Sequence, residues 1–169
     1  MKRIVLLLGL ALGLSACTIT LEPGDVSLGF SVDVELSRVI TRFEPDRGEG
    51  AVYHPGEEVR FVITLRQPGY VSLVAIDPDG RTYEFEHGVY LEAGTHVLPP
   101  APLQHRYVVT PPAGKQRVRA VYTDTRPGAV HFRGVYTTNG FDERLRVYFH
   151  QSLAQVRDVN ETYFYIAAY

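Results

Sequence analysis

Tryptophan is absent, methionine occurs only at the start, and cysteine occurs once, at Cys17. A single cysteine excludes an internal disulfide and a four-thiolate metal site. The chain contains no C-x-x-C, no H-E-x-x-H, no glycine-rich phosphate loop and no G-x-S-x-G elbow. Thiol redox chemistry, zincin-type hydrolysis, P-loop phosphoryl transfer and the usual hydrolase nucleophile therefore have no sequence support. Lysine is scarce as well, with only Lys2 and Lys115, and the formal net charge is −2. There is no basic stripe to recruit nucleic acid. No apolar run reaches the roughly 20 residues that a membrane-spanning helix needs.

What is present begins at the N-terminus. Lys2 and Arg3 precede an apolar run of 11 residues, Ile4 to Leu14, followed by the small residues Ser15 and Ala16. This is the three-part layout of a secretory signal peptide. Leu14-Ser15-Ala16-Cys17 resembles the lipobox of bacterial lipoproteins. The resemblance implies cleavage before Cys17, a diacylglyceryl group on its sulfur and acylation of the new N-terminus. Several chains on one residue give near-permanent attachment, since each buried methylene contributes about 0.8 kcal/mol. The expected organisation is a signal peptide over 1–16, a lipidated cysteine and short tether over 17–25, and one domain over 26–169. Thr18, rather than aspartate, follows the cysteine, which points to sorting to the outer membrane of the cell envelope. The tether from Thr18 to Asp25 holds Pro23 and Gly24 and reaches roughly 27 Å at full extension.

From Val26 the chain alternates: Val26, Leu28, Phe30, Val32, Val34 and Leu36 on one side, polar residues or glycine on the other. Period two predicts a half-buried strand. In "EEVRFVITL" the same alternation turns Val59, Phe61, Ile63 and Leu65 inward, whereas "GYVSLVAI" is almost wholly apolar and predicts a central strand covered on both faces. Shorter strands are expected in "RTYEFE", "THVLP", "HRYVVT", "QRVRAVYT" and "VHFRGVY". Turn signals separate them: Pro55-Gly56, Pro68-Gly69, Asp77-Pro78-Asp79-Gly80, Ala93-Gly94, Ala113-Gly114 and Pro127-Gly128. One stretch departs from this. Phe141, Leu145, Tyr148, Phe149, Ser152, Leu153 and Val156 fall at helical spacing, with Asn139 or Asp142 as caps and Asp142 and Glu143 in the first turn. A terminal strand, "ETYFYIAAY", follows. Many short strands plus one late helix predict an antiparallel β-sandwich with a helix laid over it.

With these elements in place, "YHPGEEVRFVITLRQPGYVSLVAIDPDGRTYEF", the Leu91-Glu92-Ala93-Gly94 step and "QRVRAVYTDTRP" resemble the domain-of-unknown-function family numbered 4384. The likeness extends over about Val26 to Tyr169. "YEFEHG" departs from it, standing where that family has an aromatic-proline step. The resemblance implies an immunoglobulin-like β-sandwich of bacterial envelope or signalling proteins. It carries no catalytic residues over to this chain.

Candidate chemistry is sparse. Asp77-Pro78-Asp79-Gly80 has its glycine in fourth place, where a calcium loop has it sixth, so it reads as a type I turn. His87 and His96 flank a hairpin and, with His105, are the histidines that could converge; without ligand spacing they read as solvated, and no metal or cofactor is expected. Glu84 and Glu86 alternate on one strand and read as a solvated face, not an acid–base pair. Arginine and tyrosine, the residue types that dominate binding hot spots, supply the remaining signal. Arg117, Arg119, Tyr163, Tyr165 and Tyr169 make the candidate binding face. The function expected is that of a non-catalytic, lipid-anchored module binding another envelope component, a protein. The alternative is a polysaccharide-binding or hydrolytic lipoprotein, which would need an aromatic cleft with convergent carboxylates.

Overall fold

The almost continuous apolar run "GYVSLVAI" has no polar side to give to water, so it must lie inside a sheet covered twice. It forms β5 (Gly69–Ile76), third of six strands in the larger sheet. The computed structural model describes residues 35–101, 105–136 and 138–168. The signal segment, Cys17, the tether, nearly all of the alternating run from Val26, and Tyr169 lie outside them. The other elements are β1 (Ile40–Pro45), β2 (Val52–Tyr53), β3 (Glu58–Val59), β4 (Phe61–Leu65) and β6 (Arg81–Leu91). They are followed by β7 (Gly94–Leu98), β8 (Tyr107–Val108), β9 (Gly114–Thr123), β10 (Arg133–Val135), α1 (Thr138–Ser152) and β11 (Arg157–Ile166).

Three layers result. A sheet ordered β1-β4-β7 faces the larger sheet, ordered β10-β6-β5-β9-β11-β2, and α1 covers the opposite face of the latter. Strand alternation decides which residue enters which layer. Val71, Leu73, Val118, Ala120, Tyr122 and Phe164 point to the three-stranded sheet and meet Phe43, Phe61, Ile63, Leu65 and Leu98 there. Val74, Val121 and Val159 point the other way, to Phe141, Leu145, Tyr148 and Phe149 of the helix. The inward set read from "EEVRFVITL" is buried as expected. The fold is a β-sandwich carrying one C-terminal helix.

Four details differ from the sequence reading. β1 was not among the expected strands, because a register shift between Ile40 and Arg42 breaks its alternation. β2 runs parallel to β11, pairing Val52 with Tyr165, so the sheet is not wholly antiparallel. Its placement follows from a turn through Gly48 and Gly50, both at positive φ, with Gly50 N–H donating to the Tyr163 carbonyl at 2.9 Å. The helix starts at Thr138, so Asp142 lies buried inside it and does not cap it, and no acidic residue occupies the first turn. It also stops four residues before Val156, since Leu153 adopts φ +54° and turns out to solvent.

The Asp77–Gly80 segment is the β5–β6 turn: Gly80 N–H donates to the Asp77 carbonyl at 2.8 Å, with Gly80 at φ +84°. No helix of the described residues is long and apolar enough to cross a membrane.

Tyr53 gives an alkaline prediction. Its ring is fully buried and its hydroxyl donates to Asp46 Oδ1 at 2.7 Å. Burial first, and then that bond, push the phenol up to about 12 from its ordinary 10. The unfolded chain releases this proton first, so stability is lost as pH rises from 10 to 12. Tyr53→Phe is expected to cost about 1 kcal/mol at pH 7. It should also flatten the fall in the urea midpoint above pH 10, although the raised Tyr107 and Tyr148 phenols keep some slope. An unchanged alkaline slope would refute the assignment.

Candidate functional site

Over the paired stretch β6 carries two residues more than β5, Thr82 to Leu91 lying opposite Gly69 to Ile76. Val71 pairs with Val89, Leu73 with Glu86 and Val74 with Glu84, so two bulges separate these pairs, one at Phe85 and one at His87–Gly88. Gly88 takes φ +60° there and packs against Pro127, a place where a side chain would collide. Bulges re-aim side chains and are common beside functional sites. Here the consequence is direct: Glu84 and Glu86 point to opposite faces of the sheet, and neither is a solvated residue of a shared face. Their side chains are 2% and 11% exposed.

On the inner face, Phe85 and Glu86 border a cavity of about 560 Å³ between the larger sheet and the β3–β8 ribbon. Phe61, Val118, Phe164 and Ile166 form its apolar wall. Glu86 is its fixed polar point: Oε2 accepts from the Tyr107 hydroxyl at 2.7 Å and lies 2.8 Å from His105 Nε2. Tyr107 packs edge-on against Phe85 with ring centroids 4.9 Å apart, and burial, then the Glu86 bond, hold its phenol well above its ordinary value. Val108, half exposed, stands at the rim.

On the outer face, Glu84 meets two histidines. Oε1 lies 2.7 Å from His87 Nδ1 and Oε2 lies 2.9 Å from His131 Nδ1. The Phe132 N–H donates to Oε2 at 3.3 Å, and Arg144 of the helix donates to the His131 carbonyl at 3.0 and 2.7 Å. Below them Ser72 Oγ bridges the Tyr148 hydroxyl at 2.8 Å and the Gly88 N–H at 2.9 Å. The histidines that the sequence grouped do not converge. His87 meets His131, their ring centroids 4.2 Å apart, while His105 is on the cavity side and His96 bonds the Glu92 carbonyl.

Arg117, Arg119, Tyr163 and Tyr165 do share the outer face, through the pairs Arg119–Glu161 and Arg117–Tyr163 between β9 and β11. Arg119 is not available to a partner. It is buried, its guanidinium lies 4.2 Å from the Phe141 ring centre and its Nε is 2.6 Å from Glu161 Oε2. Burial pulls its pKa below the ordinary arginine value, and the Glu161 bond opposes that. Lys115 covers Tyr163 at 3.8 Å and Arg117 is half-buried beside Glu161, which leaves Tyr165 as the exposed member.

The bulged β6, the β5–β6 turn and β9 all fall within the stretch that the comparison covers. Residues 52–126 match the family described as Domain of unknown function (DUF4384). The DUF4384 stretch supplies most of the cavity wall and both bulges of β6, whereas His131, α1 and β11 lie beyond it. No curated protein and no solved structure matches the chain.

Proposed function

We propose that this chain is a non-catalytic envelope protein, anchored through lipid on Cys17 at the outer membrane, whose sandwich binds another envelope protein. The cavity carries the reading. Its volume falls within the range of ligand sites, its wall is apolar and aromatic, and one carboxylate held by Tyr107 and His105 fixes the orientation of what enters. An apolar side chain of the partner, with a donor beside it for Glu86, suits that lining. Because Glu84 and Glu86 lie on opposite faces, these two carboxylates cannot flank one glycosidic bond, which favours binding over the hydrolytic alternative.

Native mass spectrometry on protein extracted gently from its own membranes tests this. The expected spectrum has a chain shortened by residues 1–16, acyl chains on Cys17, and a stoichiometric protein companion. An unmodified precursor mass would overturn the anchor. Ala75→Leu, which fills part of the cavity, should lose the companion while keeping the acylated mass and a similar melting temperature. Val108→Glu at the rim, which disturbs no buried contact, should do the same. Retention of the companion by both variants would remove the cavity from the account, and a glycan in its place would favour the polysaccharide-binding alternative.

A further inference from the structure

Hydrogen-bond arithmetic at the outer-face cluster leaves one position unexplained. His87 Nε2 lies 3.1 Å from the Gly128 carbonyl, which can only accept, so Nε2 carries the ring proton. Nδ1 of the neutral ring is then a lone pair, yet it faces Glu84 Oε1, another acceptor, at 2.7 Å. His131 turns its own Nδ1 toward the other oxygen of the same carboxylate at 2.9 Å. Two acceptors brought this close need a cation between them. A proton in that gap would make His87 an imidazolium 4.2 Å from the His131 ring, whereas a metal ion takes the lone pairs of both rings and the carboxylate together.

We propose that Glu84, His87 and His131 form a binding site for a divalent transition metal, with zinc as the fitting ion. The three ligand atoms lie within 4.8 Å of one another. Two imidazole nitrogens and a carboxylate oxygen, each at about 2.0–2.2 Å, are a zinc donor set that leaves a fourth position open. That position faces solvent, because the His131 side chain is 56% exposed whereas Glu84 is sequestered. The surroundings have the features of an outer shell. Donation of Nε2–H to Gly128 fixes the His87 tautomer and ring plane, as metal-ligating histidines require. The Phe132 N–H orients Glu84, and Arg144 clamps the backbone of His131 from the helix.

Location adds a second, independent argument. Both β6 bulges fall at this cluster and turn Glu84 and His87 to the same side of the sheet. The ligands come from β6 and from the segment just before β10, so the ion would tie that segment to β6.

The test uses the purified full chain, stripped with a chelator and titrated with zinc chloride. One zinc per chain is expected. At a hundredfold excess over Kd, the melting temperature should rise by about 5–10 °C. Cobalt in place of zinc should give visible d–d absorption from mixed nitrogen and oxygen ligation. His131→Ala removes an exposed ring that bonds Glu84 and packs on His87, so the fold is retained. Zinc affinity should fall more than tenfold in this variant and in His87→Gln, and His96→Ala should bind as the wild type does. A folded wild-type chain that takes up no zinc, or a His131→Ala chain that binds it equally well, overturns the site.

Discussion

Phe61→Ala is expected to cost about 4 kcal/mol, a large share of the 5–15 kcal/mol that holds a domain of this size. Phe61 comes from β4 of the smaller sheet, but its ring is shared by every inner layer. Its centroid lies 5.5 Å from Phe43, 6.1 Å from Phe85, 6.2 Å from Tyr107 and 6.4 Å from Phe164. Those neighbours belong to β1, β6, β8 and β11 in turn, so one side chain links both sheets and the ribbon over the cavity. Truncation removes the transfer free energy of the ring and leaves a void that merges with the existing cavity, where rigid strands prevent collapse. The denaturant midpoint should fall with an unchanged slope. Phe61→Leu should cost about 1 kcal/mol. Val97→Ala, on the exposed side of the same sheet, should stay within about 0.5 kcal/mol. A loss below 1 kcal/mol for Phe61→Ala would mean that the cavity repacks, and its preformed shape would then lose its part in binding.

The centrality of Phe61 shows which part of this fold could be read from sequence. Alternation around Phe61 and the apolar run of β5 are local, and local periodicity states which side of a strand is covered. Pairing distance is another matter. His131 reaches Glu84 only because β10 pairs with β6, Arg133 opposite Tyr83, across some 50 residues. Nothing in the spacing of the histidines contains that register, so grouping His87 with His96 and His105 followed sequence proximity and missed His131. The bulges were equally hidden, since alternation through "RTYEFEHG" puts Glu84 and Glu86 on one face if no residue is extra. One signal was present. "YEFEHG" is the place where the chain departs from the pattern of the family it resembles, and both bulges, both carboxylates and His87 fall there. β1 is hidden for the same physical reason, a bulge that interrupts period two, and the helix end is hidden because Leu153 continues the apolar spacing while its backbone leaves the helix.

Arg117 and Arg119 were legible as sharing a strand face, but their unequal burial was not, and it sets the last expected result. Glu161→Ala should destabilise the fold by about 3 kcal/mol, whereas Arg119→Met should change it by less than about 1 kcal/mol. Glu161 is one carboxylate between two guanidiniums, with Oε2 2.6 Å from Arg119 Nε and Oε1 3.4 Å from Arg117 Nε. The Arg119 side chain is 8% exposed and Glu161 15%, so neither charge is well hydrated. Removing Glu161 takes away the carboxylate bonded to Arg119 Nε and leaves that buried charge beside Arg117, whose like charge disfavours it, with Asp142 acting in the opposite sense. Methionine at 119 removes the buried charge, keeps an unbranched apolar chain against Phe141, and leaves Glu161 to Arg117 nearer the solvent. The Arg119→Met/Glu161→Ala double variant should therefore regain most of the loss, a coupling that a double-mutant cycle in urea measures. Simple additivity of the two single effects would show that Glu161 acts through β11 packing and not through the ion pair. The readout extends to α1, because Arg119 contacts Phe141 near the helix start. In the Glu161→Ala chain, amide exchange in the first turns of α1 should rise before that of β9.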